Sequence, residues 1–329
     1  MRRVPGARTR ASTCSSTMAS PGAGRRRPIM IIELTNTNSS EIADAAMNAR
    51  RSTGLASGLV MTLIVVSTPQ QYTRAFDSAQ ATAAEHPSRI LMVVNSKSTK
   101  TAMDAEIRVG EGVAGDIITL RLAGELVGRG DSVVLPLLLP DLPVVAWWPG
   151  RGTEFPAQDP IGRMADRRIT DATNADDPVG TLVARARGTH SAQDTDLSWT
   201  RLTRWRALVA SALDQCRRPV TSAIVEAVED NAPAALMAAW LDVRLGVPVT
   251  VNTSMGPGIT AVRLVTDAGE VAVRRVKSSD AEYIVPDQPL RTAALIRRPV
   301  VDLLSEEFRR LGPDDSYERA LNRLGERAG

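Results

Sequence analysis

Long apolar runs alternate with polar, alanine-rich segments in the first half of the chain. The runs GLVMTLIVVS (58–67) and RILMVVN (89–95) are rich in β-branched residues and predict two buried strands. Between them, the segment from Pro69 to about Glu85 predicts a helix. This strand–helix–strand order is typical of a βαβ unit and therefore predicts a parallel sheet.

Weaker patterns complete the first half. DAEIRV and DIITLRL flank a glycine-rich turn and predict a hairpin, whereas VVAWW (144–148) predicts a further buried strand. The segment 131–143 fits either a short helix or a strand, because Pro136 argues against a long helix. Helices are predicted over Glu41–Arg50 and over 176–187, the latter with Pro178 near its first turn.

The second half has a different pattern. Its predicted helices are about Ser198–Arg217, about 233–245 ending at Gly246, and two C-terminal amphipathic helices joined by Gly312–Pro313. Its predicted strands are near 220–228, the hairpin ITAVRLVT and EVAVRRV around DAG, and 291–297. The small polar stretch GTHSAQDTD (188–196) predicts a linker between the halves.

These patterns predict an α/β protein with a mixed, partly parallel N-terminal sheet, followed by a smaller α+β domain that ends in two helices. We assign 1–29 to a disordered basic extension, 30–187 to the N-terminal α/β domain, 188–196 to the linker, and 197–329 to the C-terminal domain.

Charge is distributed unevenly along the chain. Residues 1–29 contain seven arginines and no acidic residue, and without them the net charge of +3 becomes −4. Nucleic-acid binding by the body is therefore not expected, because phosphate contacts need a basic surface. The basic segment fits a transit peptide, a nucleic-acid-binding arm, or an untranslated stretch that precedes a true start at Met30.

Other features of the composition limit the function. The chain contains no uninterrupted apolar run of about 18 residues, so no membrane span is expected. The two cysteines, Cys14 and Cys216, allow no disulfide within the body, which suits a reducing cytoplasm. No cysteine or histidine pair has metal-ligand spacing, so neither a metal nor another cofactor is predicted.

Two short motifs resemble chemical sites. GEGVAG (110–115) matches the dinucleotide-binding pattern, but strand-like residues follow it where a helix is required, which favours a hairpin turn. EHPSR offers His86 as a base and Arg89 as a phosphate clamp. It lies at the amino end of its strand, however, and ligands of open α/β sheets bind beyond the carboxyl ends. A structural role is therefore favoured for this motif.

The stretch VVAWWPGRG (144–152) lies at the opposite, carboxyl end of a predicted strand. Trp147 and Trp148 are expected to point to opposite faces, one into the core and the other toward a pocket or contact surface. Arg151 adds a cation beside them. Together with the loop NSKSTK (95–100), this stretch is a candidate site for an anionic ligand.

The stretch DTDLSWTRLTRWR (194–206) concentrates tryptophan and arginine. On a helix, one or both of Trp199 and Trp205 fall on an apolar stripe, with Ser198 as the cap. Trp199 and Trp205, with Arg201, Arg204 and Arg206, are candidates for contact with a partner or ligand. Because tryptophan and arginine are enriched in protein interfaces, the stretch predicts a structural helix with an interface edge.

The blocks EHPSRIL, LPLLLPDLPVVAWWPG, DTDLSWTRLTRWRALVASALD, AWLDVRLGVPV and SEEFRRLGPDDSYERAL occur here in the order found in a known family. From about Met30 almost to the C-terminus, the chain resembles the OpcA family, the glucose-6-phosphate dehydrogenase assembly proteins of actinobacteria and cyanobacteria. The Ala-, Arg- and Val-rich composition is similar to that of actinobacterial proteins.

The resemblance implies a cytoplasmic, non-enzymatic partner that assembles or allosterically activates glucose-6-phosphate dehydrogenase in the oxidative pentose phosphate pathway. It brings no established catalytic residues. Redox control by cysteines is associated with cyanobacterial members, but Cys216 alone in the body excludes an intramolecular switch. The alternatives are a sensor of a sugar phosphate or nucleotide near Arg151, and an enzyme that uses His86 with a carboxylate.

Overall fold

The computed structural model describes residues 29–53, 58–110, 115–150, 152–216 and 218–329, together with the backbone of a strand at 7–11. The chain divides into two compact units. The first contains Met1–Pro149 and Gln158–Arg168, and the second contains Gly150–Ala157 and Ile169–Gly329. The second unit is no smaller than the first, because residues 169–187, which the sequence pattern assigns to the N-terminal domain, belong to it.

The first unit contains a seven-stranded mixed sheet with helices. Its elements are β1 (Ala7–Ala11), β2 (Met30–Leu34), α1 (Ser39–Thr53), β3 (Met61–Ser67), α2 (Tyr72–Ala83), β4 (Ser88–Asn95), β5 (Ala102–Val109), β6 (Ile117–Ala123), α3 (Gly130–Val134) and β7 (Val144–Trp147). The next strand, β8 (Arg167–Thr170), begins in the first unit and ends in the second.

The order of the seven strands is β1-β2-β5-β6-β4-β3-β7. β3 pairs in parallel with β4 and β7, and β4 pairs in parallel with β6, which confirms the predicted βαβ unit. Both β3 and β4 are buried almost throughout, as expected for central strands that are covered on two faces. β2 and β5 extend the sheet by antiparallel pairing.

The glycine-rich turn joins two antiparallel strands. β5 and β6 pair antiparallel from Ala102 opposite Ala123 to Arg108 opposite Ile117, which confirms the hairpin. Residues 111–114 of the GEGVAG motif lie outside the described part of the chain. A dinucleotide loop requires a helix after the motif, whereas strand β6 follows it here.

The ambiguous segment 131–143 is helical as far as Leu137 and contains no strand. It begins within α3 and continues as a 3-10 turn at Leu135–Leu137 that contains Pro136.

Near the N-terminus, the sequence patterns did not predict two strands, β1 and β2. β1 lies inside the segment that is predicted to be disordered, and it pairs antiparallel with β2.

The second unit is built from a six-stranded sheet and six helices in its described part. Its elements are α4 (Pro178–Arg187), β9 (Asp194–Asp196), α5 (Leu197–Thr200), α6 (Thr203–Gln215), β10 (Val220–Ala227), α7 (Ala232–Leu245), β11 (Val249–Thr253), β12 (Ile259–Thr266), β13 (Gly269–Arg275), β14 (Asp280–Ile284), β15 (Arg291–Ala294), α8 (Val300–Phe308) and α9 (Asp315–Arg327).

The sheet of the second unit is mostly antiparallel, in the order β11-β10-β12-β13-β14-β15, with one parallel pair between β10 and β11. Its core includes Leu236 and Met237 of α7 and Val225 and Leu264 of the sheet. α7 ends at Gly246, which adopts the left-handed conformation (φ 64°) that was expected of a helix-terminating glycine. The predicted α/β class and the α+β character of this unit are confirmed.

Two local predictions differ from the structure. The predicted linker 188–196 contains β9, whose three residues are buried. The predicted helix Ser198–Arg217 is two helices, α5 and α6, separated by a turn at Arg201 and Leu202. The first difference arises because Asp196 is buried and caps α5, as described below.

Candidate functional site

The tryptophan- and arginine-rich stretch consists of β9, α5 and the first turn of α6. Asp196 caps α5 by accepting a hydrogen bond from the Ser198 amide (2.8 Å). The expected cap, Ser198, is therefore wrong, and Ser198 lies inside the helix. Aspartate performs the same capping function as serine, so the composition alone did not distinguish the two.

Asp196 is fully buried and collects hydrogen-bond donors from several elements. Its carboxylate accepts bonds from Thr170 Oγ1 (2.8 Å), the Ala172 amide (2.9 Å) and Arg185 Nη1 (2.7 Å). Burial by itself raises the pKa of Asp196, but the Arg185 charge and the bonds from Ser198 and Thr170 more than offset it and lower the pKa. This ion pair organises the interior of the second unit.

Trp199 is buried and is contacted on its edge and on its face. Its indole Nε1 donates to Asp314 Oδ2 (2.8 Å), at the cap of α9. The Arg206 guanidinium lies 3.7 Å from the ring centroid, and the Tyr317 ring centroid is 5.8 Å away. Burial lowers the pKa of Arg206, although nearby acids such as Asp314 counteract that effect.

Hydrogen bonds also connect the stretch to α8. Thr200 Oγ1 donates to Glu307 (2.5 Å), and Thr203 Oγ1 donates to Glu306 (2.6 Å). Arg298 forms an ion pair with the same Glu306. Side chains of α8 therefore hold α5 and the start of α6, and the α9 cap residue Asp314 holds α5.

We expect Trp199→Phe to lower the free energy of unfolding by about 1–3 kcal/mol, because the Asp314 acceptor loses its donor and the Arg206 stack shrinks. Chemical denaturation measures this change. Trp240→Phe is the matched control, since Trp240 packs partly buried against the same core. Equal losses in the two variants would contradict the assignment of a specific role to the Trp199 hydrogen bond.

The other side of the stretch borders a pocket. Arg201, Arg204 and Trp205 line a cavity of about 310 Å³ within the second unit. The other described lining residues are Thr173, Leu202, Asn231, Pro233, Pro257, Gly258, Ile259, Arg275, Leu295, Ile296, Arg297 and Arg298. The structure thus brings three of the sequence candidates into one pocket.

The arginines of the pocket differ in their partners. Arg201 makes two hydrogen bonds to Asp171 (2.8 Å each), and Arg298 forms an ion pair with Glu306.

Three pocket arginines were not predicted from the sequence, because they lie far from the stretch along the chain: Arg275, Arg297 and Arg298. The arginine doublets within VRRV and IRRP are the sequence feature that could have identified these residues.

The first-unit tryptophans are both buried, at 2% and 3% exposure for Trp147 and Trp148. Trp148 packs in the same cluster as Ala146, and neither tryptophan is exposed as the expected contact surface would require. Arg151 lies outside the described residues. A binding role for these three residues stays a prediction.

The EHPSR motif forms a structural junction between α2 and β4. The backbone oxygen of the half-buried His86 accepts a bond from Ser88 Oγ (2.5 Å). Arg89 is buried and donates to Asp116 (2.9 Å) and to the Leu137 carbonyl (2.9 Å). The ion pair with Asp116 compensates the buried charge of Arg89. Contact of His86 or Arg89 with a ligand or partner stays a prediction.

Three further observations bear on the candidate chemistries. Across the described ranges, no group of three or more His, Cys, Asp or Glu side chains is placed to hold a metal ion. Cys216 is a free, half-buried thiol. Among the described helices, none combines the length and apolarity needed to cross a membrane.

Solved structures show only a distant likeness. Biliverdin reductase from Synechocystis sp. PCC 6803 has a TM-score of 0.43 and 10% identity, and the match covers 81% of this chain and 98% of that one. The UDP-N-acetylglucosamine 3-dehydrogenase GnnA from Acidithiobacillus ferrooxidans has a TM-score of 0.38 and 10% identity, covering 82% and 97%. Both scores are too low to support a functional argument.

The sequence comparisons are more specific. A protein of Synechocystis sp. PCC 6803 named as an OxPP cycle protein OpcA is 24% identical over 198 residues, which is 55% of this chain and 42% of the relative. The chain thus spans less than half the length of that relative. Two family models match consecutive segments: the glucose-6-phosphate dehydrogenase subunit N-terminal domain over 79–187 and the corresponding C-terminal domain over 192–321. The chain belongs to the OpcA family of glucose-6-phosphate dehydrogenase assembly proteins.

Proposed function

We propose that this protein is a non-enzymatic partner of glucose-6-phosphate dehydrogenase, which it assembles or activates allosterically in the oxidative pentose phosphate pathway. The observation that carries the proposal is the pair of family matches, which together extend over most of the chain from residue 79 to residue 321. We place the complex in the cytoplasm, where sugar phosphates are metabolised.

A partner of this kind acts by binding one state of the enzyme more tightly than another. A tenfold preference for the active state shifts its equilibrium by about 1.4 kcal/mol. Such a preference requires a rigid contact surface, because ordering flexible side chains on binding costs free energy. α5 and the start of α6 meet this requirement through their bonds to Glu306 and Glu307 of α8 and to Asp314 at the cap of α9.

We further propose that Arg204 and Ile296 are the centre of the contact surface. Arg204 is exposed, Ile296 is 54% exposed, and Arg204 Nη1 donates to the Ile296 carbonyl (3.4 Å). Arginine beside an exposed aliphatic side chain is typical of interface centres. The buried Trp199 and Trp205 support this surface from below, and Arg201 and Arg206 are held by Asp171 and Trp199.

Co-purification tests both parts of this proposal. The full chain is mixed at micromolar concentration with the dehydrogenase of the same organism, in phosphate-free buffer, and the mixture is separated by size-exclusion chromatography. We expect a common peak, and we expect Arg204→Glu to weaken binding about tenfold or more. Arg218→Glu, at a side chain that is 60% exposed and outside the proposed surface, is the control.

Separate peaks for the wild-type proteins would contradict the partnership. A common peak that Arg204→Glu leaves unchanged would contradict the proposed surface and leave the partnership standing. Turnover of glucose 6-phosphate and NADP by the protein alone would contradict the non-enzymatic role.

A further inference from the structure

The pocket beside α6 concentrates positive charge. Five arginines line it, at positions 201, 204, 275, 297 and 298, and no aspartate or glutamate is among its described lining residues. This is unusual in a chain whose net charge from Met30 onward is −4. A local excess of cations in an acidic body indicates a site that is selected for an anion.

Three of these arginines lack a carboxylate within ion-pair distance in the described ranges: Arg204, Arg275 and Arg297. Backbone carbonyls hold them instead. Arg275 Nη1 donates to the carbonyls of Leu295 (2.6 Å) and Ser278 (3.0 Å), and Arg297 Nη2 donates to that of Pro257. The guanidinium groups are therefore positioned while their charges stay available to a ligand.

The arrangement has an electrostatic cost without an anion. Burial lowers the pKa of Arg275, and the charge of Arg297 lowers it further. Arg275 Nε is also buried without a hydrogen-bond acceptor among the described residues. An anion bound between Arg275 and Arg297 would relieve their repulsion, and such relief favours binding.

Backbone dipoles add to this field. Arg204 and Trp205 belong to the first turn of α6, and Asn231 and Pro233 belong to the start of α7. Both helices therefore present their amino ends to the pocket, where the helix dipole is positive.

Most of the remaining wall is apolar, with Thr173 and Asn231 as its polar side chains. Trp205, Ile259 and Leu295 line the pocket, and the Arg275 guanidinium lies 5.4 Å from the Trp205 ring centroid. The volume of about 310 Å³ is in the range of small-molecule sites. A bare inorganic anion would leave this apolar wall without a partner.

We infer that this pocket binds a phosphorylated small molecule, whose phosphate lies between Arg275 and Arg297 and whose organic body lies against Trp205. A phosphate monoester carries up to two negative charges and three acceptor oxygens, so it can bond both guanidinium groups at once, which favours phosphate over a single carboxylate. The concave shape favours a small molecule over a protein segment. The pocket shares Arg204 and Ile296 with the proposed contact surface, but it lies apart from the WWPGRG loop and its ligand is tested on the chain without the dehydrogenase.

Isothermal titration calorimetry on the full chain tests the inference. The probes are a hexose 6-phosphate, the same hexose without phosphate, a nucleoside monophosphate, inorganic phosphate, and a short glutamate-rich peptide. We expect saturable binding of the hexose phosphate or of the nucleotide, and the tighter of the two identifies the organic body. The free hexose is expected not to bind.

Substitutions locate the site. Arg297→Ala is expected to weaken binding of the organic phosphate about tenfold or more, and Arg297→Lys to weaken it less, because lysine keeps the charge but loses the paired geometry. Arg218→Ala removes the same charge from an exposed position outside the pocket and is expected to leave affinity unchanged. Circular dichroism of each variant establishes that it is folded.

Several results would overturn the inference. They are the absence of binding by any organic phosphate at millimolar concentration, equal affinity of wild type and both Arg297 variants, and inorganic phosphate binding as tightly as the organic phosphates. Peptide binding that depends on Arg297, without phosphate binding, would assign the pocket to a protein contact instead.

Discussion

Replacing Asp196 by asparagine is expected to lower the free energy of unfolding by about 3–5 kcal/mol, the range for removing one partner of a buried ion pair. Asp196 is fully buried and accepts bonds from Thr170, Ala172, Ser198 and Arg185. An asparagine amide would direct its own donors at these donors and would leave the Arg185 charge buried without compensation. Chemical denaturation at neutral pH measures the loss.

Asp267→Asn is the matched control. The Asp267 side chain is 60% exposed and lies 3.7 Å from Arg218, so its loss is expected to cost less than about 1 kcal/mol. Similar losses in the two variants would contradict the central position of Asp196 in the fold.

The pH dependence of the Asp196 effect has a definite sign. The folded-state pKa of Asp196 is lowered from its ordinary value of 3.8, so its charge stabilises the fold fully at pH values above 3.8. As the pH falls from about 3.8 through the lowered pKa, the unfolded chain takes up a proton first and this stabilisation is lost. The difference between wild type and Asp196→Asn is therefore expected to shrink only below that pH.

Gly115→Ala is expected to lower the free energy of unfolding by about 3 kcal/mol or more. Gly115 has φ 112°, where side-chain-bearing residues are strained, and an added Cβ would lie 2.0 Å from the Ser88 carbonyl oxygen. Thermal denaturation measures the effect. The prediction separates two interpretations of the GEGVAG motif, because a turn glycine affects stability whereas a phosphate-loop glycine affects nucleotide affinity.

Gly128→Ala is the control for Gly115→Ala. No atom lies within 4 Å of the position that a Cβ at Gly128 would occupy, and its φ is not in the strained range. An unchanged melting temperature for Gly115→Ala, together with lost nucleotide affinity, would restore the dinucleotide interpretation.

Much of the fold could be predicted from local patterns. β3 and β4 are long apolar runs that only a doubly covered strand explains, and α7 ends at a glycine with the expected left-handed conformation. β11 and β14 were missed by the local patterns. Four of the five β11 residues are exposed, so pairing with β10 rather than burial of an apolar face defines β11.

The site was predictable only in part, because it joins residues that are distant in sequence. One or both of Trp199 and Trp205 were expected in the core, and both are buried. Capping of α5 by Asp196 was not predicted, because it depends on Asp196 meeting Arg185 and Thr170 in the folded unit. Likewise, Arg275 and Arg297 reach the pocket only through the pairing of the sheet strands.

A rate curve tests directly whether this protein assembles or activates glucose-6-phosphate dehydrogenase. Initial rates of the purified dehydrogenase from the same organism are measured against glucose 6-phosphate, with and without saturating amounts of this protein. The dehydrogenase is diluted until its activity per subunit falls, so that assembly and activation both become visible. We predict a lower apparent KM, a higher kcat, or recovery of the activity lost on dilution. Superimposable curves at every dehydrogenase concentration would contradict the claim.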